Sequence, residues 1–325
     1  MAELVGKPLV SIVAPMWNEE QTVDAFLTEV LGIIEQAEDF EFEVLLVDDG
    51  SQDNTVAKLE QWVARNHQVR LIELSRNFGH QAAITAGVFE ARGAAVIVMD
   101  SDLQDPPSII PEMVTAWTDG ADVVYAVRRK RQGDTLFKRG TARLFYRLLR
   151  SLSDTDIPAD TGDFRLMSRR VVETLRAMPE RDRFMRGMVA WVGFNQVPVY
   201  FDRDPRFSGE SKYPLSKMIR LGLAGIVGFS DKPLYLAITS GFIVLSLAFL
   251  GLVYLVLSFA FGWADVVRGW TSVVVSVMFF SAVQLIFMGV IGLYVSRIFV
   301  EAKQRPLYLI KRDSLGDNRG SVNGS

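Results

Sequence analysis

The sequence predicts an α/β protein: a mainly parallel, doubly wound sheet domain, then amphipathic segments, then a two-helix membrane hairpin. Three observations predict it. Up to about residue 215, short apolar runs alternate with helix-length amphipathic segments, as strands and crossover helices do in a parallel sheet. Several of those runs stop abruptly at acidic residues. Beyond them lie two apolar stretches, 234–261 and 270–298, uncharged until Arg297. Each is longer than the roughly 20 residues needed to cross hydrocarbon.

The run from Ala95 to Met99 breaks off at Asp100, Ser101 and Asp102. A short apolar run of this kind reads as a buried parallel strand, and open α/β sheets bind ligands beyond the carboxyl ends of their strands. Side chains two apart on extended backbone point the same way. Asp100 and Asp102 therefore suit a hard divalent cation that also bridges a diphosphate. Taken alone, Asp-x-Asp is equally a solvated strand end.

The other elements follow in order. Leu9 to Pro15 reads as the first strand, and 21–36 as a helix with Val23, Phe26, Leu27, Val30, Leu31 and Ile34 on one face. Phe42 to Val47 is the second strand. It ends in Asp48, Asp49 and Gly50, where Ser51 or Asp53 can cap a helix at 54–65. Asp48 and Asp49 are either turn and cap residues or acceptors for a nucleobase N–H. Val69 to Leu74 is a third strand. Arg76 at its end, beside a helix at 81–91, suits an anionic ligand, whereas His80 reads as a helix-start residue. After the Asp100 strand, the residues from Asp105 to Ser108 are expected to cap a helix reaching Thr118, and 121–127 is a fifth strand ending in Arg128.

Composition narrows the function. The chain has 325 residues and a net charge of −3, which argues against a nucleic-acid binder. It has no cysteine, and its histidines are His67 and His80, so cysteine-ligated zinc and histidine-rich metal sites are disfavoured. The first βα turn lacks Gly-x-Gly-x-x-Gly, which disfavours a nicotinamide dehydrogenase. The run from Leu9 to Ala14 is too short, and lacks the basic flank, for a secretory signal.

Four motifs occur in order: Pro15-x-Trp17-Asn18-Glu19, Val47-Asp48-Asp49-Gly50-Ser51, Arg76-Asn77-Phe78-Gly79 and Asp100-Ser101-Asp102-Leu103-Gln104. Together they resemble the inverting family 2 glycosyltransferases of GT-A fold (Rossmann-like, mainly parallel sheet). Within that family they are most similar to the polyisoprenyl-phosphate branch: the bactoprenol glucosyltransferases and, more distantly, dolichol-phosphate mannose synthase. The resemblance implies that Asp100, Asp102 and Gln104 contact Mg²⁺ or Mn²⁺ and the diphosphate, with Ser101 and Arg76 nearby. It implies that Pro15, Trp17, Glu19, Asp48 and Asp49 hold the nucleoside, and that Arg128 approaches the donor. Asp163 matches the family's candidate base. A lipid phosphate has a second pKa of about 6 and needs little deprotonation, so Asp163 alternatively positions the acceptor or balances Arg165. Arg183, Arg186 and Trp191 would line the acceptor side. Arg206, Ser211 and Lys212 match the branch's loop for a lipid phosphate or leaving diphosphate. The Gln-x-x-Arg-Trp of processive synthases is missing, which disfavours a polymerising enzyme.

The domain reading is a catalytic domain over 1–211, containing an amphipathic interface helix at 134–152, and a juxtamembrane amphipathic helix at 212–230. Two spans within 231–299 and a tail over 300–325 complete it. Basic residues flanking the spans place the catalytic domain and both termini in the cytoplasm, on an inner membrane. Residues 305–310 resemble a short strand that could pair with another subunit in a homo-oligomer. The expected activity is transfer of one hexose, UDP-glucose favoured, to polyprenyl phosphate. Rival readings are another sugar (mannose, galactose, N-acetylglucosamine, aminoarabinose), another lipid acceptor such as diacylglycerol, or a non-catalytic scaffold that binds nucleotide sugar.

Overall fold

The computed structural model describes residues 6–128, 161–181, 183–201 and 269–315, with scattered residues between 239 and 261. The chain divides into two units. One comprises 1–146, 155–213 and 304–325, and the other 147–154 and 214–303.

The first unit is built on an eight-stranded sheet. Its strands are β1 (Leu9–Met16), β2 (Glu41–Asp48), β3 (Val69–Leu74), β4 (Ala95–Val98), β5 (Val123–Arg128), β6 (Thr161–Ser168), β7 (Gln196–Phe201) and β8 (Ile310–Asp313). The spatial order is β7-β5-β6-β4-β1-β2-β3-β8. The pairs β4–β1, β1–β2, β2–β3 and β5–β7 are parallel. The helices are α1 (Val23–Ile34), α2 (Thr55–Arg65), α3 (His80–Glu90), α4 (Ile110–Thr118), α5 (Arg169–Ala177) and α6 (Met185–Val192). The apolar face expected of α1 is the buried one: Val23, Phe26, Leu27, Val30, Leu31 and Ile34. Helix α3 presses against the sheet at Gly87, where a Cβ would come within 2.2 Å of Val13 Cγ1 and 2.9 Å of Val47 Cγ2.

Three expectations are corrected. The run 160–167, expected to lead into another short strand, is itself the strand β6. It lies antiparallel between β4 and β5, so these two do not touch. Its charges hid it: Asp163 and Arg165 alternate with core residues Phe164 and Leu166, which breaks the apolar run. Before α4, Pro107–Ile109 forms a 3-10 turn with no side-chain cap, because Asp105 is turned inward to Arg128, 3.1 Å away.

The third correction concerns the tail. The tail strand is β8, Ile310–Asp313 rather than 305–310, and it pairs antiparallel with β3 of its own chain. Without it β3 would be an open sheet edge. Ser75 N–H donates to Leu309 O, and Ser314 N–H to Leu71 O, both at 2.9 Å. Beneath this pairing Arg70, with a side chain 6% exposed, donates to Asp313 Oδ1 at 3.0 Å and Oδ2 at 2.5 Å, and to Glu90 O at 2.8 Å. Burial would raise the Asp313 carboxyl, but the Arg70 and Leu315 hydrogen bonds outweigh it and hold it below the usual range. Asp313→Asn is expected to cost about 2 kcal/mol, since Arg70 loses charged hydrogen bonds. A depressed carboxyl stabilises above its unfolded value of about 3.9 and stops doing so as pH falls through the folded value. Urea unfolding of the wild type and the variant should therefore differ at pH 7 and converge below about pH 4. Equal midpoints at pH 7 would refute the staple.

In the second unit, α7 (Trp270–Ala302) is a 33-residue helix. Its portion Phe279–Ala302 has mean hydropathy 1.9 and is long and apolar enough to cross a membrane. It is the one such helix among the described residues. The described residues from 239 to 257 are helical, but most of the expected first span, 234–261, its connection to the second, and the amphipathic segments 134–152 and 212–230 lie outside the described residues in part or whole.

Candidate active site

The parallel register places the carboxyl ends of β4, β1 and β2 side by side. Met16 sits opposite Asp48, and Asp49 N–H donates to Met16 O at 2.9 Å. The loop after β1 is left-handed at Asn18 (φ 55°). Its amide donates to Ser51 Oγ at 2.9 Å, and its side chain accepts from Gln52 N–H at 2.8 Å. These bonds tie the Pro15–Glu19 loop to the turn after β2 and leave the Trp17 ring 53% exposed. Glu19 accepts from the Thr22 hydroxyl at 2.7 Å. Burial raises its carboxyl, and nearby Asp102 and Asp53 add to the rise against that hydrogen bond.

Asp48 and Asp49 are both buried. Asp49 clamps the turn after β3, its two oxygens accepting from Phe78 N–H (2.7 Å) and Gly79 N–H (2.9 Å). Asp48 Oδ2 accepts from Gly50 and Ser51 N–H, each at 3.1 Å. Its buried Oδ1 has no hydrogen-bond partner, and burial raises its pKa. Both acids thus carry turn chemistry, and Asp48 rather than Asp49 keeps an atom without a partner. Arg76 stacks over Phe78, 4.0 Å from the ring centroid.

Beyond β4, the Ser101 hydroxyl reaches Pro15 O at 3.4 Å. Leu103 adopts φ 55°, a costly conformation outside glycine. It turns the chain so that Gln104 N–H donates to Asp102 Oδ1 at 3.1 Å. Gln104 itself is buried. Burial pushes Asp100 up to about 6; His80 opposes this, while Asp163, Asp102 and Asp105 add to it. The crevice is crowded with carboxylates, and in donor chemistry Asp100 and Asp102 fit a divalent cation. Among the described residues no group of three or more acidic or histidine side chains could hold a metal. An ion would be held by the two aspartates and complete its shell from diphosphate oxygens and water, as Mg²⁺ does in phosphate sites.

Asp163 faces Asp100. The β4–β6 ladder ends at Val98 opposite Arg165, and two further steps in that register set Asp100 across from Asp163. Arg186 of α6 grips Asp163 with two bonds, Nε to Oδ1 at 2.7 Å and Nη2 to Oδ2 at 3.0 Å. His80, the first residue of α3, places Nε2 3.3 Å from Asp163 Oδ2 and 3.5 Å from Asp100 Oδ1. Burial would raise the Asp163 carboxyl, yet His80, Arg186 and Arg165 hold it far below the usual carboxylate range. Burial lowers Arg165 to about 10. Its Nη2 donates to Gly162 O at 2.9 Å, while its buried Nε has no partner. A carboxylate held this way accepts a proton less readily than a free one.

Arg128 is turned to Asp105, and its Nε is buried without a partner. Arg206, Ser211 and Lys212 lie outside the described residues. His80 starts α3, as the sequence reading had it, but its contacts with Asp163 and Asp100 were not read. Its position at the start of a helix that follows a parallel strand was a usable signal, because that is where the ligand crevice lies.

A mainly parallel sheet with an acid-rich crevice at its carboxyl ends is the build of a GT-A glycosyltransferase. Residues 11–176 match Glycosyl transferase family 2, and the chain belongs to that family. It is 45% identical to the uncharacterized glycosyltransferase YkcC of Bacillus subtilis over 93% of each chain. It is 39% identical to a prophage bactoprenol glucosyl transferase homolog of Escherichia coli, covering 93% of this chain and 98% of the relative. A bactoprenol glucosyl transferase of Shigella phage SfII is 39% identical over 95% of this chain and 99% of its own.

Proposed function

We propose that this protein is a membrane-bound glycosyltransferase that moves one hexose, glucose from UDP-glucose in the first instance, onto polyprenyl phosphate. The observation that carries this reading is the 39% identity to bactoprenol glucosyl transferases over nearly the whole of both chains. The site residues support it. Trp17 offers an exposed ring for a nucleobase, beside the Asp48–Asp49 turn. Asp100 and Asp102 face the diphosphate. A bound Mg²⁺ or Mn²⁺ supplies neutralisation of the charge on the departing nucleotide.

The lipid phosphate, largely dianionic at neutral pH, attacks the anomeric carbon from the side opposite the diphosphate and inverts it. Asp163, tied to Arg186, orients the acceptor side and need not take a proton. Arg206, Ser211 and Lys212 are proposed to bind the lipid phosphate or the leaving diphosphate. The catalytic domain over 1–211, the juxtamembrane segment 212–230 and a two-span hairpin within 231–299 bring the site to the cytoplasmic leaflet. Helix α7 supplies one of those spans.

The test is transfer from a panel of radiolabelled UDP- and GDP-sugars to polyprenyl phosphate in detergent, with Mg²⁺, Mn²⁺ or EDTA. Label on the lipid from one donor, abolished by EDTA, is expected. Label from another donor would rename the sugar. No label from any donor, with the folded protein still binding UDP, would shift weight to another acceptor or to a binding scaffold.

A further inference from the structure

We propose that His80 is a positioning residue for the transfer reaction, holding the aspartate at the end of β4 against the Asp163–Arg186 anchor. The inference rests on the reading of Asp100 as a ligand of the metal and diphosphate.

One imidazole nitrogen faces two carboxylates. His80 Nε2 is 3.3 Å from Asp163 Oδ2 and 3.5 Å from Asp100 Oδ1. Ionised carboxylates only accept hydrogen bonds, so Nε2 carries the hydrogen, whatever the state of Nδ1. The two acids differ in how firmly they are held. Asp163 lies in β6, with a side chain 4% exposed and gripped at both oxygens by Arg186. Asp100 lies past the last ladder pair of β4, just before the left-handed turn at Leu103. Among the described residues His80 is the one positively charged or titratable basic side chain within 4 Å of Asp100. Without it, no other basic side chain among the described residues lies within 4 Å of Asp100 on the side that faces Asp163.

The imidazole stands on a fixed base. The turn before α3 is clamped by Asp49 through Phe78 and Gly79 N–H. Gln81 Oε1 accepts from Met185 N–H at 2.9 Å, which joins α3 to the helix carrying Arg186. His80 therefore transmits the position of α3, α6 and β6 to the metal-binding end of β4. Residues that orient metal ligands in this way typically change affinity or activity by about 10–100-fold when removed.

The test uses the full chain in detergent and compares His80→Ala, His80→Gln and Asp102→Asn. Mn²⁺ affinity in the presence of UDP is read by electron paramagnetic resonance, and kcat and donor KM by lipid transfer. A glutamine amide has two N–H groups to offer the two carboxylates. His80→Gln should stay within about threefold of wild type, while His80→Ala weakens Mn²⁺ binding and lowers kcat about tenfold or more with little change in KM. Wild-type Mn²⁺ affinity and kcat in His80→Ala would overturn the proposal. So would a His80→Gln variant as slow as alanine but with normal Mn²⁺ affinity, because the imidazole would then be moving a proton. If Asp102→Asn binds Mn²⁺ normally, the metal reading fails and takes this inference with it. If Asp102→Asn loses Mn²⁺ while His80→Ala keeps it, only the inference fails.

Discussion

Asp102→Asn is expected to lower kcat/KM about a thousandfold, the rate equivalent of the several kcal/mol that a metal contributes at a departing diphosphate. The fold should survive. Asp102 sits in the loop beyond β4, and its one described bond is to Gln104 N–H, which an asparagine oxygen can also accept. Unchanged thermal unfolding alongside lost transfer and lost Mn²⁺ binding is the predicted signature. The same variant speaks to the scaffold reading. A protein that only binds nucleotide sugar has no turnover to lose, so measurable wild-type transfer abolished by this one substitution would exclude it.

Asp163→Asn is expected to act through stability as well as rate. The wild-type carboxylate compensates Arg186 and the buried Arg165, and it faces His80. Removing one partner from such a buried cluster typically costs about 3–5 kcal/mol, or about 10 °C in melting temperature for a domain of this size. Transfer should fall as well, because α6 and α3 lose their common anchor. A true base would behave differently: its asparagine variant would unfold at the wild-type temperature and fail only in turnover. Differential scanning fluorimetry alongside the transfer assay separates the two. The linkage has a definite sign. A carboxyl held below its unfolded value stabilises at every pH above about 4 and loses that contribution only in stronger acid. The carboxyl itself therefore adds no pH dependence to the gap between wild type and variant above about pH 5, while His80, whose pKa Asp163 raises, makes the gap larger in mild acid and smaller as pH rises through the His80 value.

Much of the sheet was legible because local patterns specify it. The 3.6-residue spacing of Val23, Phe26, Leu27, Val30, Leu31 and Ile34 names the face of α1 that is buried. The apolar run 69–74 coincides with β3. Positions such as Asp100, Asp102 and Asp48 could be placed in the crevice because parallel strands expose their carboxyl ends to ligands, whatever their order in the sheet. What could not be read is anything set by contacts between distant segments. Strand β6 carries charges on the face where an apolar side chain would be expected, and these are tolerated only because Arg186 and His80 neutralise Asp163. The tail strand β8 contains Lys311, Arg312 and Asp313. It reads as a solvated segment until Glu60, Glu73 and Arg70 are set beside it.

The sequence by itself determined the family, the alternation of strands and helices, the acidic crevice and an apolar helix at the carboxyl end long enough to cross a membrane. Each rests on local periodicity or on motifs whose residues lie close together in the chain. Only the tertiary structure decided that β6 enters antiparallel between β4 and β5, that Asp163 therefore stands opposite Asp100, that His80 fills the space between them, and that the tail closes the edge at β3. Those outcomes depend on the pairing of charges more than 80 residues apart, as His80 and Asp163 are, and of backbones more than 230 apart, as β3 and β8 are. The energy of such pairings appears only when the chain is folded and the groups have left water together.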